Sequence, residues 1–128
     1  MKITLCGSAR FEKAFHEWNE YYTVQRGCTV YSLAVFPSNK SDKNWYNESQ
    51  KLVLDLVHMR KILESDAIVV ITHRDFECPA GKHSAYVGES TKREILWANV
   101  CGKLIYYDWE NPKHLGKPLN HILPELTQ

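Results

Sequence analysis

Two periods of apolar residues alternate along the 128-residue chain. Residues 2–6 (KITLC) read as a short strand, and Gly7-Ser8 breaks it. Phe11, Phe15, Trp18 and Tyr22 then recur at i, i+4, i+7 and i+11, one stripe of an amphipathic helix ending near Gly27. Thr29 to Phe36 (TVYSLAVF) is a β-rich run stopped by Pro37, and Ser38 to Asn47 is polar and loop-like. Leu52, Leu56, Met59 and Leu63 mark a second helical stripe. After Asp66 comes a continuous apolar run, Ala67-Ile68-Val69-Val70-Ile71, as in a strand buried on both faces. A third helix is expected from near Ser90 to Gly102, then a strand from Lys103 to Tyr107 and a short helix around Leu119 to Leu126.

That order is βαβαβαβ. It predicts one α/β domain over residues 1–128, three-layered, with a mostly parallel sheet of four to five strands. The 18 residues from Thr72 to Glu89 show no periodicity, and a loop of that length leaving the carboxyl end of a buried strand reads as a lid or substrate-covering segment.

Composition narrows the function. Lys and Arg number 16 against 15 Asp and Glu, so no basic excess exists to hold a nucleic-acid polymer or a membrane surface. No apolar run approaches the roughly 18 residues of a spanning helix, and the N-terminal residues lack a signal-like apolar core, so a cytoplasmic protein is expected. The four cysteines, Cys6, Cys28, Cys78 and Cys101, have no C-x-x-C spacing and read as reduced, buried thiols. His73, Cys78 and His83 offer three zinc-type ligands in a polar stretch. Their even spacing on an irregular loop lacks the close pairing of zinc modules, and no metal is assigned.

Three segments carry candidate chemistry. Gly7, Ser8 and Arg10 lie at the first strand-to-helix turn, where Gly7 allows close approach, Ser8 and helix N–H groups can meet an anion and Arg10 can pair it. A plain Ser N-cap fits the same residues equally well. Gly88, Ser90, Thr91 and Glu94 open the third helix, and Thr91-x-x-Glu94 has the form of a capping box. Alternatively, Glu94 is a carboxylate nucleophile at the mouth of the sheet. His58 lies roughly 120° around its helix from the centre of the stripe, and Lys61 lies opposite the stripe, where a solvated amine is the default.

CGSAR at residues 6–10, HMRKILESDAIVVI at 58–71 and YVGESTKREILWANVCGKLIYY at 86–107 together resemble the nucleoside 2-deoxyribosyltransferase family, most closely its small phage- and bacterial-type members. The best motif is Gly88-x-Ser90-Thr91-x-x-Glu94-Ile95-x-x-Ala98. The resemblance implies a flavodoxin-like (Rossmann-like) fold and cleavage or transfer of the N-glycosidic bond of a nucleoside or nucleotide, without a cofactor. It implies Glu94 as nucleophile on the anomeric carbon, with Ser8 and Arg10 at the position that holds a 5′-phosphate in the 2′-deoxynucleoside 5′-phosphate N-hydrolase branch. Ser90 and Thr91 would complete the site, joined by Gly7, Asp66, Tyr86 and Gly88 as substrate-binding residues. Two positions depart from the family: Thr4 stands where it has a catalytic tyrosine and His58 where it has an aspartate. His58 is then a candidate general acid, and Glu89, Tyr86 and His83 are further stand-ins. The resemblance also implies a homodimer or higher homo-oligomer, with Tyr106, Tyr107 and Trp109 as a contact or a wall for the base. Two other functions fit these residues: a nucleotide-binding regulatory module without catalysis, and a phosphoribohydrolase or NAD-cleaving enzyme.

Overall fold

The computed structural model describes residues 1–33, 46–77 and 81–118. The expected terminal helix, Cys78 and most of the loop before the second helix lie outside these residues. Four strands, β1 (Lys2–Gly7), β2 (Thr29–Tyr31), β3 (Ala67–Ile71) and β4 (Leu104–Tyr107), pair in the order β2-β1-β3-β4, every pairing parallel. Helices α1 (Glu12–Glu20), α2 (Glu48–Glu64) and α3 (Glu89–Val100) cover the two faces. The α/β architecture read from the pattern is the one observed.

The period-2 alternation of β1 sorts its side chains between two cores. Ile3 and Leu5, with Val69 and Ile71 of β3, pack on Phe11, Phe15, Trp18 and Tyr22. All four residues of that helical stripe are buried, and α1 carries it onward through a wider turn at Tyr21–Gln25. Cys6, with Ile68 and Val70, faces the other way and meets Ile62 of α2 and Ala98 of α3. Thr4 shares the Cys6 face by the same alternation, one pleat earlier.

Helix α2 departs from expectation. Its N-terminus is a complete capping box, Asn47 Oδ1 accepting from Gln50 N (2.8 Å) and Gln50 Oε1 from Asn47 N (3.0 Å). Yet its buried residues are His58 and Ile62, while Leu52, Leu56 and Leu63 of the apolar stripe are 59%, 52% and 52% exposed. Ile62 fits over the small residues Cys6 and Ala98, and this turns the bulkier stripe outward. The order β2-β1-β3-β4 reverses direction between β1 and β3, so the carboxyl ends of these strands open a crevice beneath α2 and α3.

Candidate active site

Gly7 ends β1 with φ of +147°, and a Cβ there would lie 2.5 Å from the Ile71 carbonyl oxygen of β3. Only glycine fits this close approach, which brings the β1 turn against β3. Ser8 follows as the cap of a short helical turn, its hydroxyl accepting from Arg10 N at 3.3 Å.

A cavity of about 410 Å³ opens at this edge. That volume is of the order of a small-molecule site. Its floor and walls are Gly7, Ser8 and Ala9 after β1, Leu33 after β2, Asp55, His58 and Lys61 on α2, Tyr86 and Gly88 before α3, and Glu89, Ser90, Thr91 and Glu94 on α3. Seven of the residues expected at the site are thereby brought together with His58. The 72–89 segment contributes Tyr86 and Gly88, anchored by Tyr86 N donating to the Thr72 carbonyl at 3.0 Å.

Glu94 does not cap its helix. Helix α3 begins at Glu89 with Gly88 as its N-cap and no side-chain cap, so Thr91 is third and Glu94 lies in the second turn. The capping box expected from Thr91 and Glu94 is therefore absent, because Gly88 sets the helix start earlier than the motif implied. Glu94 is 8% exposed, and its Oε2 has no hydrogen-bond partner. Burial, reinforced by the charge of Asp55, raises its carboxyl to about 7, against weaker opposing contributions from the Cys6 thiol and Arg93. The His58 Nε2 faces that oxygen at 3.6 Å and the Cys6 Sγ at 3.5 Å. Burial, with Lys61 nearby, lowers His58 to about 4. The pair is thus a neutral imidazole beside a carboxyl poised near neutrality, not an ion pair.

Other expected residues lie elsewhere. The Arg10 guanidinium stacks 3.9 Å over the Tyr86 ring and donates to its hydroxyl at 3.2 Å, so it braces the wall without lining the cavity. Asp66 precedes β3 at the amino end of the parallel sheet, opposite the cavity, and its carboxylate accepts from Lys2 N at 2.8 Å. That position puts Asp66 outside this cavity. Thr4 is fully buried and hydrogen-bonded to Ser65, away from the cavity. Tyr107 and Trp109 stack on each other and line a separate hollow with Lys82 and Glu110. His73 is committed to Thr72, Asp108 and Ser84.

Asp55 was not singled out from the sequence, and Lys61 and Cys6 were given no part in the site. Asp55 stands three residues before His58, and Lys61 three after, a polar row at helical spacing that signals a wet face. Lys61 is partly buried and donates to the Ser32 carbonyl at 2.8 Å, unlike the solvated amine expected. Cys6 is placed by strand alternation alone.

No protein-family model matches the chain, and no curated protein matches it in sequence. Among solved structures, the 2-deoxyribosyltransferase of the psychrotolerant bacterium Bacillus psychrosaccharolyticus aligns with a TM-score of 0.60 at 14% identity, over 84% of this chain and 71% of that one. The CMP N-glycosidase of Clostridium botulinum aligns with a TM-score of 0.48 at 21% identity, over 84% of this chain and 70% of that one. The chain thus has the fold of a 2-deoxyribosyltransferase, the parallel flavodoxin-like architecture that its motifs implied.

Proposed function

We propose that the protein cleaves or transfers the N-glycosidic bond of a (deoxy)nucleoside or its 5′-monophosphate, with Glu94 as nucleophile. The observation that carries this reading is the Glu94 carboxyl: buried, with one oxygen unpartnered, lining the cavity at the carboxyl edge of the sheet. A carboxyl placed so has no capping role to explain it.

In the reaction, a Glu94 oxygen bonds to the sugar anomeric carbon as the bond from that carbon to the base nitrogen breaks. The base leaves with the electron pair and takes up a proton. Water or an acceptor base then attacks the same carbon and releases Glu94. The carboxylates of Glu94 and Asp55 favour the positive charge that develops on the sugar. His58, held neutral, is a poor proton donor at neutral pH, and its ring walls the cavity beside Glu94. The proton taken up by the leaving base comes from solvent, with Asp55 kept as a carboxylate on the same wall. Ser8, Ser90 and Lys61 offer donors for a sugar hydroxyl or a 5′-phosphate, while Arg10 would reach a phosphate only by leaving Tyr86.

We also assign a homodimer. The exposed α2 stripe continues onto Trp97 and Val100 of α3, joined where Trp97 Nε1 donates to the Met59 carbonyl. Such a contiguous apolar face belongs against a partner.

Free-base release from a panel of nucleosides and 5′-monophosphates, followed by liquid chromatography, tests the activity. Release from one substrate class is expected, lost in Glu94→Gln. Saturable binding of a nucleotide without release from any substrate would instead make the chain a binding module. Ribose phosphate or ADP-ribose among the products would indicate the phosphoribohydrolase or NAD-cleaving alternative.

A further inference from the structure

Cys6, His58 and Glu94 come from three different elements, β1, α2 and α3, and each is more than nine-tenths buried. Their Sγ, imidazole nitrogen and carboxylate oxygen all lie within 4.8 Å of one another. The measured pairs are 3.5 Å for Sγ to Nε2 and 3.6 Å for Nε2 to Oε2. Tetrahedral zinc, with Zn–S near 2.3 Å and Zn–N and Zn–O near 2.1 Å, holds its ligand atoms ~3.4–3.6 Å apart. The two spacings match that geometry, and the second is too long for a hydrogen bond. The Glu94 Oε2 correspondingly lacks any partner, although it is buried. A buried acceptor left so is costly, and a cation between the three groups would satisfy it.

We propose that Cys6, His58 and Glu94 form a three-ligand site for a zinc-class divalent cation whose occupancy switches off the glycosidic site. The site shares Glu94 with the proposed reaction, and its inhibitory effect rests on that reading, but cation binding itself does not. Thiolate, imidazole and carboxylate are the donor types zinc takes, and the side facing the cavity leaves a fourth position open for water. Forming the Zn–S bond releases the thiol proton to solvent. Once bound, the Glu94 carboxylate is held by the metal and no longer attacks carbon. The His58 Nδ1 has no acceptor, so the ring lacks the outer partner that typically improves zinc affinity by about 10–100-fold. Binding is therefore reversible, as suits an inhibitory ion.

Cobalt(II) is the probe, because a cobalt–thiolate bond absorbs in the near ultraviolet and a tetrahedral ion absorbs strongly in the visible. Titrating the purified, chelator-treated protein should develop both absorptions at one equivalent per chain, and zinc should displace them. Cys6→Ala should abolish the thiolate band and weaken zinc binding by more than about tenfold. Cys28→Ala and Cys101→Ser should leave the band intact, and circular dichroism confirms that each variant is folded. A missing band in folded wild type, or a band that persists in Cys6→Ala, would overturn the site. Neither readout needs turnover, so it stands apart from the base-release test of Glu94. In that assay one equivalent of zinc should suppress release and a chelator restore it; stimulation by zinc would refute the inhibitory role.

Discussion

Glu94 illustrates how one side chain's surroundings set its chemistry. Its folded carboxyl titrates near 7 against an ordinary 4.5, because burial and Asp55 disfavour the charged form. A raised carboxyl stabilises the fold fully below pH 4.5, and that stability is lost as pH rises through 7. The effect is on the order of 3 kcal/mol. Glu94→Gln should accordingly gain stability over wild type as pH rises from 5 to 8, by denaturant unfolding at each pH. His58 works in the opposite sense, losing stability as pH falls from 6.5 toward 4, and is common to both proteins. A constant difference across the range would mean that Glu94 is not buried as described. Catalysis carries the matching signature. A nucleophile must be ionised, so kcat/KM should rise with pH through about 7; a fall there would reassign Glu94 as the proton donor. Gly7 gives a second prediction at this scale. Gly7→Ala pushes a methyl group into the Ile71 carbonyl at positive φ and should cost roughly 1–3 kcal/mol, read by urea unfolding. An unchanged midpoint would show that the β1 turn relaxes freely.

Among the elements, α1 was legible because its aromatic stripe is its only apolar face and lies against one side of the sheet. Helix α2 was not, since two adjacent faces compete: the more apolar one stays outside, and the one bearing His58 and Ile62 packs inward. Hydrophobic period alone cannot separate a core stripe from a stripe that meets another molecule. The capping reading of Thr91 and Glu94 failed for a similar local reason. Thr91-x-x-Glu94 satisfies the capping pattern, but Gly88 supplies an earlier start, and the shift moves Glu94 from cap to cavity. Of the candidate site, the β1 turn and the α3 opening were readable as motifs, whereas Arg10 and Asp66 were placed by their tertiary partners, Tyr86 and Lys2. At the amino end of α2, Asn47→Ala removes the cap of Gln50 N and should cost about 1 kcal/mol in urea unfolding. A loss below a few tenths would show that the capping box contributes nothing to the fold.

For the whole molecule, the doubly wound order places the cavity at one edge. Most residues of the cavity come from the β1 turn, α2 and α3, and they meet where the parallel strands end. The exposed α2 and α3 stripe is the face proposed above for a second copy of the chain. Light scattering after gel filtration should give twice the chain mass, and Leu56→Asp with Leu63→Asp should give the monomer. A wild-type monomer at micromolar concentration would leave that face without its proposed partner. The central claim is that Glu94 bonds to the sugar. Its most direct measurement is peptide mapping by mass spectrometry of an acid-quenched reaction with the best substrate of the panel. The expected result is a glycosyl adduct on the α3 peptide, assigned to Glu94 and missing from Glu94→Gln; turnover with that peptide unmodified and the adduct elsewhere would contradict it.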